Sequence, residues 1–125
     1  MHLESRISIV PLAKMRLVDR PHAFYHVIHE GEATFRMVLR QTVRPGRSSP
    51  IHVHGKAPEL YIVLQGMLQI RTDKAIVEVP AGHAAFVPAG VPHGVSNPNP
   101  SEPAASILLL GADYSKEDVE CLPLT

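Results

Sequence analysis

Apolar and β-branched residues fall in short runs along the chain, each closed by Gly, Pro, Asn or Asp. Within them polar and apolar positions alternate, as where Phe35, Met37, Leu39 and Gln41 are interleaved with Arg36, Val38, Arg40 and Thr42. A period of two marks a strand with one buried face, and helical periodicity is nearly absent. The pattern predicts strands near Ile7 to Val10, Phe24 to His29, Ala33 to Val43, Ile51 to His54 and Leu60 to Leu64. It predicts five more near Met67 to Arg71, Ala75 to Val79, Ala84 to Val87, His93 to Ser96 and Ala104 to Leu110. Ten short strands at this spacing predict an all-β fold, closed as a barrel or folded as two sheets. Thr72-Asp73-Lys74 reads as a hairpin loop, and Pro80-Ala81-Gly82 and Pro88-Ala89-Gly90 read as rigid turns that leave no room for a crossover helix. Asn97-Pro98-Asn99-Pro100 reads as a loop. Near the end, Ser115 with Asp118 three residues on reads as a helix cap, so a short C-terminal helical turn is expected, ending near Cys121 before Pro123. No repeat, linker or low-complexity tract interrupts the pattern, and a single domain over residues 1–125 is expected.

Charge narrows the function classes. The 12 basic and 12 acidic side chains cancel, leaving no surplus for phosphate backbones or anionic lipid, so neither nucleic acid nor a membrane surface is an expected partner. No apolar stretch approaches the roughly 18 residues of a spanning helix. The first residues, with His2, Glu4 and Arg6 before Pro11, resemble neither a secretion signal nor a transit peptide, and the expected location is the cytoplasm. Hydrophobic residues make up 45% of the chain, enough for a real core. Cys121 is the only cysteine, which excludes an intrachain disulfide and a cysteine zinc knuckle; any metal must be held by His and carboxylates. Eight histidines are more than this length leads one to expect.

Two of them carry a pattern. His52 and His54 stand at i and i+2 in a β-rich stretch, so in an extended strand they share one face, roughly 6 to 7 Å apart, and both imidazoles can reach one ion. Glu59 follows a turn and opens the next apolar run, where a carboxylate beside the pair can complete a chelate. His93 arrives from a distant strand as a fourth candidate ligand.

Gly46, His52, His54, Glu59 and Gly66 resemble the first motif of the cupin superfamily: glycine, five residues, His-x-His, three or four residues, Glu, six residues, glycine. Gly82, Pro88, Gly90, His93 and Asn97 resemble the second: glycine, five residues, Pro-x-Gly, two residues, His, three residues, Asn. The motifs cover residues 46–66 and 82–97 with 15 residues between them, similar to the small single-domain cupin 2 type. The resemblance implies a double-stranded β-helix, or jelly-roll barrel, that binds one divalent metal through His52, His54, Glu59 and His93.

That donor set suits a first-row ion and is too rich in nitrogen for Mg or Ca. Fe or Mn leads, with Ni, Cu, Co and Zn also compatible. On a six-coordinate ion two positions stay open for a bidentate substrate, or for substrate and dioxygen together. A closed tetrahedral zinc site is the alternative for four ligands. By period two, Tyr61 and Val63 share the face of Glu59, and Tyr61 is a candidate to bring its hydroxyl to the metal, with a place in the barrel wall as the other reading. Phe35, Met37 and Leu39 are expected to form pocket wall and the Arg-bearing face of the same strand to meet solvent. Phe86, Val91 and Val95 are read as packing, which implies a largely apolar pocket. Asn97 is expected to steady its loop. His2, His22, His26, His29 and His83 share no spacing and Cys121 has no basic neighbour, so these are read as structural.

These features lead to an expected metal-dependent dioxygenase acting on a small enolisable, phenolic or diketone-like molecule. Glu59 is its candidate base, loosening from the metal, and Tyr61 the group that orients dioxygen. A non-catalytic ligand-binding or sensing protein, or an oxygen-independent isomerase or lyase, is the alternative. Sugar phosphates are disfavoured as long as Arg36, Arg40 and Arg71 point outward. The exposed edges of a small barrel, with the run Ile7 to Leu12 as an added strand, lead to an expected homodimer.

Overall fold

A computed structural model describes residues 12–30, 35–111, 113, 115 and 119–121. A 3-10 turn at Leu12–Lys14 leads into eleven strands: β1 (Arg16–Asp19), β2 (Ala23–Glu30), β3 (Phe35–Val43), β4 (His52–His54), β5 (Glu59–Gln65), β6 (Met67–Arg71), β7 (Ile76–Pro80), β8 (Ala84–Val87), β9 (Gly94–Ser96), β10 (Ala104–Gly111) and β11 (Val119–Cys121). A six-stranded sheet in the order β1-β2-β3-β10-β5-β8 forms one wall; a three-stranded sheet β7-β6-β9 and the pair β11-β4 complete the sandwich. Every pairing is antiparallel. The expected all-β double-stranded β-helix is therefore present.

Alternation places the core. On β5 Glu59, Tyr61 and Val63 are buried while Ile62 and Leu64 are exposed, and Leu68 and Ile70 of β6 face them across the interior. Register then stacks side chains in rows over the large sheet. Met37, Leu110 and Glu59 lie side by side on β3, β10 and β5, and the next row is Val27, Leu39, Leu108 and Tyr61. One row further stand Val18, Tyr25, Gln41, Ser106 and Val63. A row that begins on Glu59 thus gives way, within two steps, to one that is polar in its middle.

The turns use glycine where geometry requires it. Gly66 joins β5 to β6 at φ 75°, and a Cβ there would lie 2.9 Å from the Pro103 carbonyl oxygen. Only glycine meets both conditions cheaply. Asn97 is buried and steadies its loop as expected: its amide donates to Val43 O and Glu102 O at 3.2 and 2.7 Å, and its Oδ1 accepts from the Asn99 amide.

The expected C-terminal helical turn is not found where the structure can be read. Val119–Cys121 is extended and pairs antiparallel with His52–His54, so the edge of β4 has recruited these residues into a ladder; residues 116–118 lie outside the described residues. The strand β1 is additional to the expected set. The expected strand at Ile7 to Val10, most of the dimer-edge run Ile7 to Leu12, and His2 lie outside the described residues, as do the side chains of His29, Phe35 and Cys121. Phe86 is corrected outright. It is 64% exposed, because β8 turns Val87 inward beside Glu59 and so turns Phe86 out.

Candidate metal centre

The four residues singled out by spacing converge. One donor atom each from His52, His54, Glu59 and His93 fits within a mutual distance of 4.8 Å. His52 and His54 come from β4, Glu59 opens β5, and His93 directly precedes β9. The backbones of His52 and His93 exchange both hydrogen bonds, N to O, at 2.8 Å each. Their ring centroids are 4.6 Å apart.

Second contacts aim the rings. Nδ1 of His52 lies 3.0 Å from Pro50 O, and Nδ1 of His93 lies 2.9 Å from Val91 O. A carbonyl can only accept, so each Nδ1 carries the hydrogen and each Nε2 turns toward the centre. His54 Nε2 is 2.6 Å from Glu59 Oε1, and His93 Nε2 is 2.9 Å from Glu59 Oε2. The Tyr61 hydroxyl donates to Glu59 Oε2 at 2.5 Å.

Electrostatics follow from burial against pairing. Burial alone would raise the pKa of the 3% exposed Glu59, but the hydrogen bonds from His54 and His93 outweigh it and hold the carboxyl well below the usual range. Burial pulls His93 down, and the bond to Glu59 with its charge overcomes this and raises it. Burial lowers His52. Tyr61 is pushed well above its ordinary value, first by burial and then by the Glu59 charge, so it stays a donor.

These donors fit a first-row divalent ion. Two ligands of one ion at about 2.1 Å cannot be more than about 4.2 Å apart, so the site needs to tighten by only a few tenths of an ångström. An ion there would replace the two imidazole contacts on Glu59. The chemistry of the set, three nitrogens and one carboxylate, matches Fe, Mn, Co, Ni, Cu or Zn and does not select among them.

The site opens into a cavity of about 420 Å³ that includes His52, His54, Glu59 and Tyr61 in its wall. Met37, Leu39, Leu108, Leu110 and Val95 supply the apolar part; Met37 and Leu39 do so as expected for the inner face of β3, whereas Val95, read as packing, both packs in the core and lines the cavity. Val91 packs against the core beside a second, smaller cavity of about 130 Å³. The pocket is less uniformly apolar than the sequence suggests. Tyr25, His22 and Gln41 also line the large cavity, and Arg16, Arg20 and Glu30 stand at its mouth.

The Tyr25 hydroxyl is 3.0 Å from His22 Nε2 and receives the Gln41 amide at 3.3 Å; Ser106 donates to Gln41 Oε1 at 3.3 Å. Burial is the first cause that keeps Tyr25 above and His22 below their ordinary values, and the charges of Arg20 and Arg44 lower His22 further. Arg36, Arg40 and Arg71 do not line this cavity, but they do not simply face solvent as expected: all three are half-buried, and the Arg71 guanidinium turns inward to donate to Ser49 O at 2.6 Å. Arg16 and Arg20 were missed because they belong to β1 and its turn. The turn residue Pro21 before His22 was the available signal.

Among the described residues no helix is long and apolar enough to cross a membrane. The family model described as "Cupin domain" matches residues 39–109. The xanthan biosynthesis protein XanB of Xanthomonas campestris pv. campestris is 28% identical over 103 residues, which cover 82% of this chain and 21% of that protein. The chain thus spans about a fifth of the length of the curated relatives it matches. Among solved structures, the polyketide cyclase RemF from Streptomyces resistomycificus superposes with a TM-score of 0.78 at 22% identity, over 95% of this chain and 87% of that one. A Klebsiella pneumoniae protein described by its double-stranded β-helix domain gives 0.74 at 19% identity, over 97% and 96%. At these identities the two structures speak for the fold.

Proposed function

The chain belongs to the cupin family, and from that premise we propose that it is a metal-dependent dioxygenase whose centre chelates a small enolisable, phenolic or diketone-like molecule beside dioxygen. One observation carries this reading: His52, His54 and Glu59 line a cavity of about 420 Å³ and His93 joins them within 4.8 Å, so space for a substrate lies directly beside the donor set. A first-row ion held by His52, His54, Glu59 and His93 supplies Lewis acidity toward chelated oxygens and, as Fe or Mn, redox chemistry.

The chain's own residues do the rest. Pro50 O and Val91 O fix the ring orientation of His52 and His93. Tyr61 holds one oxygen of Glu59 and keeps a proton beside the centre. Met37, Leu39, Leu108 and Leu110 exclude water from the substrate and favour a flat or apolar body. Protein loaded with Fe or Mn is expected to consume oxygen with at least one member of a panel of catechols, enols and diketones, and His52→Ala to abolish the uptake. No uptake across the panel overturns the oxygenase.

The bond between Tyr61 and Glu59 favours a second reading, an isomerase or lyase that moves a proton without oxygen. Deuterium exchange into an enolisable substrate under anaerobic conditions is its test. A homodimer is part of the same proposal, supported by the edges of β1, β7 and β8, which have no second partner strand among the described residues. A monomeric mass at micromolar concentration would overturn that part.

A further inference from the structure

Two arginines, Arg16 and Arg20, line the cavity and a third, Arg44, lies beside Arg20; Arg16 and Arg44 are already matched. Arg16 pairs with Glu30, and Arg44 pairs with Asp19 at 2.7 Å while also donating to the Arg20 carbonyl oxygen at 2.6 Å. Among the described residues the Arg20 guanidinium makes only a long bond, 3.4 Å, to the Asp19 carbonyl oxygen, and it lines the cavity.

A hydrogen-bond chain inside the cavity runs toward the same place. Ser106 donates to Gln41 Oε1, which fixes the amide so that its nitrogen donates to the Tyr25 oxygen. The phenol hydrogen of Tyr25 then has His22 Nε2 as its acceptor at 3.0 Å. With Nε2 accepting, a neutral His22 carries its hydrogen on Nδ1. Every bond in the chain therefore points the same way, and it ends on an N–H donor near an unmatched guanidinium. Among the described residues the groups that act on His22 are Tyr25, Arg20 and Arg44, and none of these is an anion.

From this arrangement we propose that Arg20 and His22 form an anion subsite at the end of the cavity remote from the metal donors, which takes a carboxylate or phosphate tail of the substrate. The proposal rests on the chelating reading above and deepens it. The substrate carries its chelating oxygens at one end and an anionic group at the other. The apolar row of Val27, Leu39, Leu108 and Tyr61 lies between the row of Glu59 and the row of Tyr25, so the body joining the two ends is apolar. The lowered pKa of His22 agrees with a local positive field that an anion would relieve.

Two measurements test it. The first uses metal-free protein and follows the His22 ring by NMR while benzoate or phenyl phosphate is added. The His22 pKa is expected to rise with at least one of them, and the anion that gives the larger rise names the tail. No change with either overturns the subsite, whatever the metal does.

The second uses zinc-loaded protein and calorimetry with catechol, dihydroxybenzoate and dihydroxyphenylacetate. One of the two carboxylates is expected to bind at least about 10-fold tighter than catechol, and Arg20→Gln to bring that ratio near unity at unchanged metal content. Equal affinities in the wild type together with no His22 rise from phenyl phosphate, or a ratio that survives Arg20→Gln, overturn the proposal. If none of the three binds in a zinc-dependent way, the chelating reading is what fails, and the NMR titration still decides the subsite.

Discussion

His52 and His93 hold each other through the backbone: the N–H of each donates to the carbonyl of the other at 2.8 Å, so two imidazoles from distant parts of the chain start from one hydrogen-bonded pair. Their side chains are then aimed separately by Pro50 and Val91. Since the pairing is backbone to backbone, a side-chain change at either position should leave it in place.

His93→Ala is therefore expected to keep the native circular dichroism spectrum and to lose metal. Elemental analysis of protein purified without chelators should find about one ion per chain in the wild type, with affinity at least about 100-fold lower in the variant. A variant that retains a full ion would show that His93 is not a ligand.

Metal uptake should release protons, and the sign follows from three groups. Glu59 is held ionised by its histidine bonds, and His52 is held neutral by burial, so neither has a proton to give at neutral pH. His93 has its pKa raised by Glu59, so it holds its proton to higher pH than a free imidazole does, and an ion must displace that proton wherever it is held. We expect proton release on metal binding that diminishes as pH rises, and an affinity that climbs with pH over the range in which His93 loses its proton. Calorimetry in buffers of different ionisation enthalpy counts the protons; an affinity that falls with rising pH would contradict the assignment.

Much of this centre was legible because a strand has a period of two. His52 with His54, and Glu59 with Tyr61, each fall on one face by counting alone, and the glycine, proline and asparagine spacing closes the set with His93. What escaped the sequence depends on pairing. Arg16-Leu17-Val18-Asp19 has only two apolar residues between charges, and it becomes a strand because the edge of β2 accepts it. Val119–Cys121 followed a helix-cap pattern, and the open edge of β4 outweighed that local preference. The polar end of the cavity was hidden for the same reason, since Tyr25, Gln41 and Ser106 meet only through the registers of β2, β3 and β10.

Tyr61→Phe removes the hydroxyl that bonds Glu59 without changing the shape of the wall. The carboxylate loses one of its donors, so metal affinity should drop about 10-fold to 100-fold, while unfolding free energy falls by about 1 to 2 kcal/mol. Competition with a chromogenic chelator measures the first and urea unfolding the second. An unchanged affinity would reduce Tyr61 to a residue of the barrel wall.

Gly66→Ala tests the turn between β5 and β6. The new methyl meets the Pro103 carbonyl oxygen at 2.9 Å in a backbone region that L side chains rarely adopt, and the nearby atoms are backbone that cannot swing away. Steric overlap and positive φ add, so a loss of about 2 kcal/mol or more is expected by denaturant unfolding, with metal stoichiometry preserved in the folded fraction.

Asn97→Ala removes a buried side chain that bonds three backbone groups, Val43 O, Glu102 O and the Asn99 amide. Alanine can bond none of them, and the two carbonyls bonded by the amide sit at the ends of β3 and of the loop leading to β10. The loss should be about 3 kcal/mol. Asn97→Asp separates donor from acceptor at the same size: it keeps the bond from Asn99 but turns a carboxylate oxygen toward both carbonyls, so it should destabilise at least as strongly at neutral pH and partly recover in acid as the carboxyl gains a proton to donate. If aspartate matches the wild type at neutral pH, the two carbonyl contacts carry no stability and the loop is held by the bonds that Asn99 makes.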